Sequence, residues 1–123
     1  MQITFIAPIL QGKVNEGSTF PLIVRTWTDA LGQGSQDVWS ATSAWSTGRY
    51  RIDCLSTNKT MLDWTSVTPA GELDLTITGA QNALNNQYNR REQRQVTVEL
   101  DHGLSSQYRD TFAYSVENVA ALT

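Results

Sequence analysis

Cysteine, histidine and proline are scarce in this chain: one Cys, one His and three Pro among 123 residues. A single cysteine, Cys54, excludes an intrachain disulfide, and a single histidine, His102, excludes metal centres built on several imidazoles. Basic charge is also thin. Nine Lys and Arg stand against twelve Asp and Glu, a net charge of −3, which argues against nucleic acid as the partner. No apolar run approaches the roughly 20 residues of a membrane-spanning helix, so no membrane partner is expected. The opening MQITFIAPIL lacks the basic n-region of a secretory leader and goes directly into strand-like alternation. Without a leader, the glycosylation sequon at Asn58-Lys59-Thr60 reads as a chance match in a turn.

What is present is an ordinary globular composition, 40% hydrophobic and 17% charged, on a chain of single-domain length. No linker, repeat or low-complexity tail divides it. A single domain over residues 1–123, a complete small protein, is therefore expected.

Alternation of apolar and polar residues dominates the chain. It predicts strands near Ile3–Ile9, Phe20–Thr28, Val38–Trp45, Arg49–Leu55, Met61–Val67, Glu72–Thr78, Gln95–Asp101 and Thr111–Asn118. The clearest are Leu73/Leu75/Ile77, Val96/Val98/Leu100 and Phe112/Tyr114/Val116, with Leu22, Val24, Ile52 and Cys54 in the same inward set. Polar residues in the opposite phase mark strands with one face on a core and one in water. Turn residues separate them, at Asn15-Glu16-Gly17-Ser18, Gly32-Gln33-Gly34-Ser35, Pro69-Ala70-Gly71 and Asp101-His102-Gly103. Short strands at this spacing predict an all-β fold, an antiparallel sandwich of two sheets. In the stretch GELDLTITGAQNAL the period changes. Thr78-Gly79-Ala80-Gln81 reads as a capping box, and Ala80, Ala83, Leu84 and Tyr88 fall at helical spacing, predicting one short helix at a strand corner.

The search for chemistry returns little. No G-x-S-x-G elbow, phosphate loop, dinucleotide fingerprint or zinc spacing is present, so no catalytic residue, cofactor site or metal site is expected. His102 sits in a glycine turn and reads as a solvated loop residue. Asp29 with Asp37, and Asp101 with Asp110, flank loops that could offer oxygen ligands to calcium, although aspartates at turns usually bond their own backbone. Arg90, Arg91 and Arg94, interrupted by Glu92, read as a solvated face. Of the four tryptophans, Trp39 and Trp45 lie in the polar run VWSATSAWST and are candidates for a partner contact or a sugar-stacking platform. Ile3, Phe5 and Ile6 are further candidate partner contacts, since Met1–Leu10 could add a strand to a neighbour's edge unless Ile3–Ile9 is simply this domain's own first strand.

The order of segments resembles a known group. The strand GSTFPLIVRTW leads through a loop to Asp37-Val38, then YRIDCL, then LDWTSVTPAGELDLTITGAQNAL, then the closing hairpin VTVELDHGLSSQYRDTFAYSV. Over residues 16–118 this is similar to the immunoglobulin-like domains of tailed-phage structural proteins, such as the N-terminal domain of siphophage baseplate upper proteins, with Thr78 to Leu84 as the matching corner. The segment QYNRREQRQ is longer and more charged than its counterpart there, and the large C-terminal domains of the baseplate proteins have no equivalent. The resemblance implies an immunoglobulin-like sandwich made in the bacterial host cytoplasm and built into a virion. It implies a non-enzymatic role in a multi-copy symmetric assembly, by contact with portal, tail, fibre or capsid proteins. A tail, neck or baseplate adaptor or fibre-attachment protein is the first expectation, and a capsid decoration protein the alternative. A carbohydrate-binding module with a tryptophan platform is the further alternative. No site residue carries over from the resemblance.

Overall fold

The computed structural model describes residues 2–29, 39–41, 45–105 and 107–119, with backbone alone at residues 2, 27–29 and 39–41. The chain is all-β. Its strands are β1 (Gln2–Ile6), β2 (Lys13–Asn15), β3 (Ile23–Asp29), β4 (Trp39–Ala41), β5 (Gly48–Cys54), β6 (Lys59–Val67), β7 (Glu72–Asp74), β8 (Arg91–Leu100) and β9 (Tyr108–Glu117). They form two sheets. In the first, β3 pairs with β1 along one flank and with β7 and β4 at its two ends on the other. The second has the order β2-β9-β8-β5-β6.

Eight of these strands overlap predicted ones, but β1 ends at Ile6 and β7 at Asp74, short of Ile9 and Thr78, β8 starts at Arg91, ahead of Gln95, and Trp45 lies outside β4. The ninth, β2, is a three-residue strand running parallel to β9, with Val14 beside Val116. KVN is too short to show a period, and it lies between two turns. The Leu10–Lys13 turn is closed by the Lys13 N–H on the Leu10 carbonyl and passes through left-handed backbone at Gln11 and Gly12.

The inward phase matches the sequence pattern. Leu22, Val24, Leu73, Leu75 and Ile77 from the first sheet and its flanks meet Ile52, Val96, Val98, Leu100, Tyr114 and Val116 from the second in one buried cluster. Cys54 is buried as expected, and Phe112 is half-buried against the same cluster. Phe20 meets Tyr114 edge-on at 5.2 Å between ring centroids, a favoured aromatic geometry.

The corner between β7 and β8 departs from expectation. The capping box forms, with the Gln81 N–H on the Thr78 hydroxyl (3.4 Å) and the Thr78 N–H on Gln81 Oε1 (3.0 Å). No helix follows it. Residues 79–90 run as successive turns, Leu84 alone of the predicted stripe is buried, and Tyr88 is 96% exposed. Four asparagines, Asn82, Asn85, Asn86 and Asn89, bond other groups here, and such side chains draw the backbone away from helix.

Candidate functional site

The residues expected at partner contacts separate. Ile3 is buried in the core, and β1 pairs antiparallel with β3 from Gln2↔Trp27 to Ile6↔Ile23, so this segment is the domain's own first strand. Phe5 is half-buried against Phe112, at 5.7 Å between centroids, and Ile6 remains 42% exposed. Trp45 is buried beside Tyr108, which removes it from any sugar-stacking surface. The polar run around it hid this, because its covering partner lies more than sixty residues away. The side chains of Trp39 and Asp29, and the whole of Asp37, lie outside what the structure describes.

The basic cluster divides: Arg90 and Arg91 are exposed, as a solvated face requires, and Arg94 is not. Arg94 and Glu92 are completely buried and paired at 2.7 Å. They lie on β8 in phase with Val96 and Val98, and continue the core's inward face beneath residues 79–90. Arg94 donates to the carbonyls of Gln81 and Ala83. Glu92 Oε1 accepts from the Asn85 N–H, and Oε2 from the Asn86 N–H and the Asn89 side chain. Burial alone would raise the Glu92 pKa. The Asn85 and Asn86 amides, Arg94 and Asn89 outweigh it and hold the carboxyl at about 2. Beside them Asn82, also fully buried, accepts from the Tyr114 hydroxyl (2.7 Å) and donates to the Ser18 carbonyl (2.7 Å). Gly79 packs so closely on the Gly17 carbonyl that a Cβ there would clash. This network ties the β7–β8 corner to β9 and to the turn before β3.

A second buried carboxylate, Glu99, sits on the opposite face of β8. Arg49 and Arg109 each reach it at 2.6 Å, and despite burial they hold its pKa below the usual carboxylate range. Arg49 also lies 2.9 Å from His102 Nδ1 and 4.0 Å from the centre of the Trp64 ring. Arg49 can only donate, so the Nδ1 contact is an acceptor and the 3.6 Å approach of that nitrogen to Glu99 is not a hydrogen bond. His102 is thus exposed but engaged. Asp101 is buried, and its Oδ1 accepts from the Ser46 and Thr47 N–H groups, so the side chain ties the β8–β9 turn to the distant segment before β5.

Two concavities stand out among the described residues. One, of about 250 Å³, lies among Thr47, Arg49, Ser66 and His102. The larger, of about 440 Å³, lies along β2 between Leu10, Val14, Arg91 and Glu117. Among the described residues no group of three or more His, Cys, Asp or Glu could hold a metal ion, and no helix is long and apolar enough to cross a membrane. Comparison of the chain with family models, curated proteins and solved structures returns no match.

Proposed function

We propose that this chain is a non-enzymatic structural protein of a tailed-bacteriophage virion. In this reading it is an immunoglobulin-like module that acts by protein–protein contact as a tail, neck or baseplate adaptor or a fibre-attachment protein. The observation that carries the reading is strand order. β3 and β7 share one sheet, while β5, β8 and β9 form the other with β6 added beside β5. The B and E strands of an immunoglobulin variable-type sandwich face C, F, G and C′ in this way. The virion assignment rests on the resemblance in segment order to phage domains of that class. Four buried ionisable side chains add support, since Glu92, Arg94, Glu99 and Asp101 are engaged with one another, with arginines or with the backbone. That leaves surface shape and strand edges as the means of action.

Mass spectrometry of purified particles of the phage that encodes the chain tests the proposal. The protein should be present in several copies per particle. Its absence from particles, with expression in infected cells, would overturn the reading.

A further inference from the structure

Among the described residues, β1 is the sheet edge that its own sequence leaves unprotected. Natural proteins blunt such edges by shortness, charge, proline or bulges. β4 and β7 are three residues each, and β2 is as short and is bridged at Lys13 by Leu10. β6 carries Lys59 and Asp63 and shifts register against β5. β1 has none of these. QITFI holds no charged residue and no proline, and its five residues pair with β3 without a break, from Gln2↔Trp27 to Ile6↔Ile23.

The register shows which backbone groups of β1 are open. The Thr26 N–H donates to the Gly71 carbonyl (2.9 Å) and the Leu22 carbonyl accepts from the Leu75 N–H (2.8 Å), so even-numbered residues along β3 bond toward β7. Odd-numbered ones bond toward β1, where Arg25 pairs with Thr4 and Ile23 with Ile6. Gln2, Thr4 and Ile6 thus bond to β3, and Ile3 and Phe5 turn their N–H and carbonyl groups to the outer side. No described residue bonds them there. The same two residues fix the strand in place, Ile3 by its buried side chain and Phe5 by its ring against Phe112.

We infer that the outer edge of β1 is a docking surface for a second copy of this chain. An antiparallel partner must offer a donor and an acceptor on each of two residues two positions apart, and β1 itself is such a strand. With Thr4 of both copies on a two-fold axis, Ile3 of each faces Phe5 of the other, and each such pair exchanges both backbone bonds. No open group of Ile3 or Phe5 is left over. Thr4 then meets Thr4 of the second copy, a favourable cross-strand pair, and the uncharged strands bring no like charges together. Ile6, 42% exposed, shares the Thr4 face and gains cover from the added strand. The contact is isologous and closes as a dimer, joining two four-stranded sheets into one. A pairing of this length buries little area, so the dimer is weak and concentration-dependent. The inference does not depend on the virion reading.

Sedimentation of the purified full chain over a range of concentrations tests it, with circular dichroism confirming that each variant folds. Wild type should approach twice the 13.7 kDa chain mass at high concentration. Thr4→Lys sets like charges opposite each other on the axis and should weaken association at least about tenfold. Ile6→Lys, at a side chain already exposed, should weaken it by a smaller factor. An equimolar mixture of Thr4→Lys and Thr4→Glu chains should recover the dimer, because opposite charges then meet on the axis. A wild-type chain that stays monomeric at millimolar concentration would overturn the inference. So would a dimer that survives both lysine substitutions, or folded Thr4→Lys and Thr4→Glu chains that do not associate when mixed.

Discussion

Arg94 and Glu92 stand two residues apart on the inward face of β8, paired at 2.7 Å with neither side chain exposed. An ion pair taken out of water is weak evidence for net stability, but losing one member is costly because the other is left charged and buried. Arg94→Met should therefore cost about 3–5 kcal/mol in urea unfolding. Adding Glu92→Gln to it should recover part of that loss. A single-variant cost below about 1 kcal/mol would mean that water reaches the pair.

The same pair sets the acid limit. Glu92 titrates at about 2 in the folded chain against an ordinary 4.5, so folding holds fewer protons than unfolding between those values. Its contribution is complete above pH 4.5 and is lost as pH falls toward about 2. Glu99, also lowered, acts in the same direction. Stability measured by urea midpoint should fall steeply through that window, and the fall should be shallower in Glu92→Gln. A flat profile would contradict the geometry.

Tyr114 sets an alkaline limit. Burial, partly offset by Arg94, raises its phenol to about 12 from 10.0, so its contribution is present below pH 10 and is lost as pH rises toward about 12. Tyr114→Phe should flatten that loss. It should also cost about 1–3 kcal/mol at neutral pH, because Asn82 Oδ1 would be left buried without its donor. No cost at neutral pH would mean that Asn82 finds another partner.

Leu75 lies in the shared core, almost wholly buried. Leu75→Ala should cost about 2–5 kcal/mol by calorimetry or denaturant titration. A loss under about 1 kcal/mol would place that face in water.

Much of this architecture is legible in the sequence because one rule, period-2 alternation, governs most strands. Leu73, Leu75 and Ile77 point inward as their spacing requires, and so do Val96, Val98 and Leu100. The same rule, carried two steps further back along β8, places Arg94 and Glu92 inward as well. Their charge masked it, since a buried ion pair depends on acceptors that the sequence does not bring close, here the carbonyls of Gln81 and Ala83. The corner misleads in the other direction. Ala80, Ala83, Leu84 and Tyr88 have helical spacing, but asparagine side chains bonded to Glu92, Tyr114 and Thr57 hold the chain in turns. β2 has no signal of its own, and its pairing with β9 joins segments some hundred residues apart, Lys13 beside Ser115 and Asn15 beside Glu117.

As proposed above, this domain works as a repeated structural piece of a virion. Electron microscopy of purified particles, with the chain labelled by a fused tag, tests it most directly. Domain-sized density in symmetric copies at the tail, neck or baseplate is the expected result. Label scattered over the capsid lattice would contradict the adaptor role in favour of decoration, and particles without label would contradict the claim itself.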